Sequence, residues 1–274
     1  MVTALDVRTD DGRVLRVHDS GRPSPRTVLW HHGTPQTGAL LEPLLTACVS
    51  RGIRLVSYGR PSYGGSTPLP GRDVASAATD VAQIADALGL GRFWTMGASG
   101  GGPHALACAA LLADRVAGVV CLAGIAPYTG EAGWFDGMAS PAGLHAALRG
   151  RAAKEAHEAD AEFDPTIFVA ADWAALDGDW ASLGEDAGAA GSAGPGGIVD
   201  DDLAYVAPWG LDLTSVTAPV LLVQGGLDRV IPPAHAHDLL GGLPLAELWL
   251  RPRDGHVSVL RAVPVALDWL LTHP

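Results

Sequence analysis

A mostly parallel α/β sheet, covered by helices on both faces and interrupted once by a helical insertion, is the architecture this sequence predicts. Three observations carry that prediction. Short β-favouring runs alternate with alanine-rich helical runs along most of the chain, the pattern of repeated strand-helix units. Several of these runs, such as Val220-Leu221-Leu222-Val223, are apolar at every position, as strands buried on both faces are. Between residues 128 and 210 the alternation stops, and amphipathic pieces broken by glycine, proline and tryptophan replace it.

Taken in order, residues 5–9 and 13–19 alternate apolar and polar around Asp10-Asp11-Gly12 and read as a hairpin, with His18 an edge residue. A turn at residues 21–25 leads to a strand at 27–31, which ends at His32-Gly33-Thr34-Pro35. A helix over 39–49 and a strand over 53–57 follow, then Gly- and Pro-rich turns to Pro70. Residues 72–88 carry Val74, Ala78, Val81, Ile84, Ala85 and Leu88 on one helical face. Phe93-Trp94-Thr95-Met96 is a strand that stops at Gly97-Ala98-Ser99-Gly100-Gly101, where a helical run begins at once. Residues 116–122 form the next strand. In the insertion, residues 145–161 read as an amphipathic helix and residues 187–197, nearly all Gly, Ala, Ser and Pro, as a flexible loop. The sheet resumes at 219–224, and a helix at 235–240, a strand at 245–250 and a helix at 257–271 close the chain.

Composition excludes several classes. The 274 residues suffice for one large domain or a core with one insertion, and 48% of them are apolar. No run reaches 18 apolar residues, so no membrane span is expected. MVTALDVRTDDGR lacks the basic start and apolar stretch of a signal peptide, and Cys48, Cys108 and Cys121 read as buried thiols; a cytoplasmic protein is expected. Residues 130–205 hold 15 acidic and three basic side chains, which accounts for the whole formal charge of −12. That balance argues against nucleic-acid binding. Arginine far outnumbers lysine, a compositional sign of a high-GC bacterial source. Self-association is left open.

The chemistry centres on Ser99. A serine at the tip of a sharp strand-to-helix turn has its hydroxyl exposed, and the N–H groups that follow it sit at a helix N-terminus suited to an oxyanion. Asp228, after the strand at 219–224, and His256, after the strand at 245–250, both fall in loops at the carboxyl ends of strands, the edge to which the turn delivers Ser99. Imidazole can activate the hydroxyl, and a carboxylate can orient the imidazole. Asp254 is too near His256 in sequence to back it easily, so Asp228 is the expected acid.

With these residues in place, the chain resembles the α/β-hydrolase superfamily over nearly its whole length. His32-Gly33-Thr34-Pro35 is similar to the family's His-Gly-x-Pro turn, which implies that Thr34 and Gly100 supply the oxyanion N–H groups. Gly59-Arg60-Pro61-Ser62-Tyr63-Gly64-Gly65-Ser66 resembles the family's Asp-Arg-Pro-Gly-Tyr-Gly-x-Ser turn. It has Gly59 for the aspartate and Ser62 for a glycine, so Arg60 lacks its local acid. Val206-Ala207-Pro208-Trp209-Gly210 looks like the end of a family lid. The resemblance implies an α/β-hydrolase core of residues 1–127 and 211–274 and a helical lid of residues 128–210. It also implies a serine hydrolase with Ser99, His256 and Asp228 as its triad and no cofactor.

The expected substrate is a small to medium, largely apolar ester or lactone, with Tyr128 and Trp134 as candidate substrate contacts. A peptidase resembling the proline iminopeptidases is an alternative, although Gly100 stands where those carry tryptophan. A C–C bond hydrolase or lyase and a slow-turnover ligand receptor are others. Serine at the elbow argues against dehalogenase and epoxide-hydrolase chemistry, which uses aspartate there. His31 and His32 point to opposite faces of a strand, so no metal is expected. His104 reads as a pocket-wall or structural residue, and His235 and His237 as exposed. Lid acidity reads as solvated surface, with discrimination against anionic substrates as the sharper expectation.

Overall fold

The computed structural model describes residues 2–21 and 24–273; part of the turn expected at 21–25 lies outside them. Strands β1 (Thr3–Arg8) and β2 (Val14–Asp19) form the N-terminal hairpin. The rest of the sheet comes from β3 (Thr27–His31), β4 (Arg54–Tyr58), β5 (Phe93–Ala98), β6 (Val116–Leu122), β7 (Val220–Gly225) and β8 (Ala246–Arg251). Its order is β1-β2-β4-β3-β5-β6-β7-β8, antiparallel through β2 and parallel from β4 onward. The fully apolar runs occupy its centre: every residue of β3, β5, β6 and β7 is buried. His18 is not at an edge, because β2 pairs with strands on both sides.

Helices α1 (Glu42–Ser50), α2 (Ser76–Ala87) and α3 (Gly101–Leu111) connect the early strands. The expected start of α2 at Arg72 moves to Ser76, because the Asp73 carboxylate accepts from Ser76 N at 2.8 Å and fixes a turn there. Between β6 and β7 the structure is helical: α4 (Ala142–Leu148), α5 (Arg151–Asp160), α6 (Ala170–Leu176), α7 (Ala181–Ser192) and α8 (Gly196–Tyr205). One helix over 145–161 was expected; Gly150, at φ +94°, divides it in two. The loop expected at 187–197 is mostly α7, where Ala187, Ala189 and Ala190 carry the helix across two glycines. Helices α9 (Pro233–Gly242) and α10 (Val263–Leu271) follow, the latter preceded by a 3-10 turn at Ser258–Ala262. Pro264 sits in the first turn of α10, where a missing N–H goes unneeded.

Two cores flank the sheet. Val81 and Ile84 of α2, Leu106 of α3 and Leu239 of α9 pack on one face. On the other lie Leu44 of α1 and Leu267 and Leu270 of α10. Among the described residues no helix is long and apolar enough to cross a membrane.

Candidate active site

The turn between β5 and α3 holds Ser99 at φ +53°, a left-handed conformation that costs a non-glycine residue about 1–2 kcal/mol. The sequence forces the turn to be tight. A Cβ on Gly97 would lie 2.6 Å from the Gly101 carbonyl carbon, and one on Gly101 would lie 2.7 Å from His32 O, so only glycine fits at either place. Ser99 N donates to Leu122 O of β6 at 2.8 Å, which ties the strained residue to the centre of the sheet.

Asp228 and His256 meet at the same carboxyl edge. His256 Nδ1 donates to Asp228 Oδ2 at 2.8 Å, which leaves Nε2 as the acceptor nitrogen. The carboxylate is itself held: Val230 N and Ile231 N each donate to Oδ1 at 2.9 Å, and Gln224 Nε2 donates to Oδ2 at 3.2 Å. Burial opposes a charged imidazole at His256, but the Asp228 carboxylate beside it, and then that of Asp172, outweigh burial and raise its pKa above the ordinary 6.5. Asp254 is engaged elsewhere, by Arg251.

Ser99, Gly100 and Thr34 line one cavity of about 280 Å³. Ile125, Met138, Leu144, Ile198, Val230 and Ile231 form its apolar wall. The lining also carries charge: Lys154, the single lysine of the chain, is 1% exposed and its Nζ sits 2.5 Å from both Glu158 Oε1 and Asp202 Oδ2. Glu162 and Asp164 also line the cavity. Burial raises the Asp202 carboxyl to about 6 despite its lysine partner.

The α/β-hydrolase fold family model matches residues 26–262. The chain belongs to this family. A non-heme chloroperoxidase of Streptomyces lividans is 32% identical over 123 residues, 44% of this chain and 45% of that protein, so the match spans less than half of the relative's length. A thermophilic esterase from Thermogutta terrifontis has the same fold, with a TM-score of 0.72 and 22% identity over 99% of this chain and all of the other. The enol-lactonase from Burkholderia xenovorans does too, with a TM-score of 0.74 and 19% identity over 97% of this chain and all of the other.

The Arg60-Pro61 turn finds its acid in the insertion. With glycine at position 59, Arg60 pairs with Asp201 of α8, at 2.7 Å. Asp201 is fully buried and also receives Arg72 Nη2 at 2.5 Å, Thr34 Oγ1 at 2.5 Å and Tyr63 OH at 3.0 Å. Burial alone would raise the Asp201 carboxyl; the two guanidinium groups overcome it and hold it well below the usual range. Ser62, in the motif's glycine position, keeps the left-handed conformation at φ +76° and donates to Asp200 Oδ2 at 2.8 Å. His32 braces the neighbouring turn: its Nδ1 donates to Gly33 O at 2.7 Å and its Nε2 accepts from Arg60 N at 3.1 Å, which fixes the tautomer. Burial holds its pKa well below 6.5. Tyr205 OH, 3.0 Å from Thr34 Oγ1, donates to Gly100 O at 2.9 Å.

Other sequence-predicted residues fall elsewhere. Tyr128 and Trp134 are not among the residues lining the cavity; they pack on each other, and Trp134 Nε1 donates to Ala126 O at 3.3 Å. His31 packs between Tyr58 and His104, and His104 is buried under the Arg60–Asp201 cluster. His237 is exposed, but His235 is buried against Trp134 and accepts from Ala126 N at 3.2 Å. The acidity of the insertion is not merely solvated surface, since Asp172, Asp200 and Asp201 are all buried. Asp172, Asp201, Lys154 and Tyr205 escaped the sequence reading. An arginine without its motif aspartate and a lone lysine were the signals that pointed toward two of them.

Proposed function

We propose that the chain is a serine hydrolase that opens an ester or lactone through an acyl-enzyme. Ser99 attacks the acyl carbonyl, and His256, through Nε2, takes its proton and returns it to the leaving group. Asp228 keeps the ring in the required tautomer and stabilises the imidazolium that forms. The N–H groups of Thr34 and Gly100 receive the oxyanion, where losing one donor costs ~3 kcal/mol of barrier. Water then repeats the attack and frees the acid. The observation that carries this reading is a left-handed Ser99 on a cavity wall, with the bonded Asp228–His256 pair in loops at the same sheet edge.

The insertion acts as the lid of that cavity, and the substrate is a small molecule. A space of about 280 Å³ sets the size, and its apolar wall favours an apolar group. One lysine and four carboxylates, Glu158, Glu162, Asp164 and Asp202, also line it, and that negative balance turns anionic substrates away. The same carboxylates favour a second reading, hydrolysis of an amide bearing a free amine. No nucleic-acid or membrane partner is proposed, and the buried free thiols Cys48, Cys108 and Cys121 suit the cytoplasm.

The test is to treat the protein and its Ser99→Ala variant with a fluorophosphonate and weigh both intact. The expected result is one adduct on the parent and none on the variant; a folded parent that takes no adduct refutes the reading. Rates on nitrophenyl esters of increasing chain length, set beside amino-acid nitroanilides, then separate esterase from aminopeptidase.

A further inference from the structure

We propose that Asp172, a residue of the insertion, is a positioning residue for His256: it anchors the backbone that carries the imidazole. The proposal rests on the triad reading above. Asp172 lies in the first turn of α6, is 1% exposed, and spends almost none of its hydrogen-bonding capacity on its own helix. Its Oδ1 accepts from Val257 N at 2.9 Å, Ser258 N at 2.7 Å and Ser258 Oγ at 2.8 Å. Its Oδ2 accepts from His256 N at 3.2 Å, and from Val169 N at 3.1 Å as the local cap of α6.

Three consecutive backbone N–H groups, beginning with that of His256 itself, therefore end on one carboxylate from outside their loop. They are the free donors at the start of the Ser258–Ala262 turn, which has no cap of its own. Ser258 Oγ in turn accepts from Gly255 N at 2.7 Å, so Gly255, on the other side of His256, is linked to the same carboxylate through the serine hydroxyl. A side chain at Gly255 would run into Asp172, which explains the glycine.

The charge matters as well as the geometry. Burial opposes the imidazolium; Asp228, from the loop after β7, and Asp172, from the insertion, are the carboxylates that favour it. On the histidine's own loop, Asp254 is paired with Arg251. The backbone walling the cavity through Glu162, Phe163, Asp164 and Ile167 runs directly into α6. The segment that meets the substrate is thus the segment that fixes the base, and lid and triad assemble as one unit.

The test compares Asp172→Asn and Asp172→Glu with the parent. Asparagine keeps an acceptor but loses the charge, so the acid limb of kcat/KM is expected to move to lower pH and kcat to fall about tenfold or more, with KM little changed. Glutamate keeps the charge but displaces it, so the limb is expected to stay near the parent's while kcat falls. A folded Asp172→Asn protein with the parental limb and kcat overturns the proposal, as does a lower melting temperature with an unmoved limb. Should the parent take no fluorophosphonate adduct, the triad reading fails separately. The His256 ring, titrated by NMR in a Ser99→Ala background, still reads the coupling: its pKa is expected to fall on Asp172→Asn, and no change overturns the proposal.

Discussion

Replacing Asp201 by asparagine should be among the most damaging single changes in this chain outside the apolar core. The carboxylate is fully buried and neutralises two guanidinium groups whose side chains are 1% and 2% exposed, Arg60 at 2.7 Å and Arg72 at 2.5 Å. Removing one partner of a buried ion pair costs about 3–5 kcal/mol, because the remaining charge is left without compensation. Here two charges are left, so the upper end of that range applies. Against a total stability of ~5–15 kcal/mol, this is a large fraction. At ~2–4 °C per kcal/mol for a chain of this size, the melting temperature should fall by roughly 10–20 °C. Thermal unfolding followed by circular dichroism, with urea titration to convert the shift to free energy, measures it. The same variant should lose turnover beyond its loss of folded protein, since Thr34 Oγ1 gives up its 2.5 Å bond to Asp201. A fall below about 3 °C would mean that water reaches the two arginines, and the reasoning from burial would be refuted. Because the arginines hold Asp201 well below the ordinary carboxylate pKa, its contribution is fully present above that ordinary value. It fades only as the pH drops through the depressed one.

Other consequences follow from the ionisable groups in and around the cavity. With the His256 pKa raised above 6.5, the base is protonated over a wider range, so kcat/KM should begin to fall on the acid side at a pH above 6.5; a pH profile with a nitrophenyl ester reads this directly. Discrimination between a neutral ester and its carboxylate analogue should be greatest above about pH 6 and weaken below it, as Asp202 takes up a proton. In Asp202→Asn the ratio of the two rates should be smaller and should no longer change across that pH; an unchanged ratio would remove Asp202 from substrate selection.

The sheet was legible because its strands are extreme: β5, β6 and β7 are buried on both faces, so their sequences are apolar but for Thr95 and Gln224. The elbow was legible because close backbone approach leaves only glycine at 97 and 101, and such a constraint is written into the sequence directly. Asp228 could be chosen over Asp254 because Asp254 stands too near His256 in sequence to back it easily, and the structure bonds Asp228 to His256. Legibility ended where partners come from far along the chain. Arg60 and Asp201 are 141 residues apart, and nothing local to either names the other. Tyr128 and Trp134 looked like pocket residues because aromatic side chains serve both cavities and cores; which role they take depends on how the insertion folds back over the sheet. The 187–197 stretch misled for a different reason: glycine and proline there suggested a loop, but alanine between them was sufficient for a helix.

The pattern of those distant contacts bears on how the insertion can move. Asp201 and Tyr205 of α8 bind the Thr34 turn and the elbow, Asp200 binds Ser62, Asp186 of α7 binds Thr37, and Asp172 of α6 binds the His256 loop. Swinging the whole insertion away would break the buried Asp201 ion pairs with Arg60 and Arg72 and the hydrogen bonds at every other of these points, a cost well above that of opening a weakly held segment. The segment between α5 and α6 is held differently. Phe163 is 62% exposed, and Asp164 accepts within its own turn, from Thr166 N at 2.8 Å. Opening should therefore be local, with residues 161–168 moving and α8 staying in place. Amide hydrogen exchange tests this: fast exchange across 161–168 and slow exchange across 199–205 is the expected result. Equal, fast exchange in both would mean that the insertion opens as a whole and that its carboxylates do not hold it to the core.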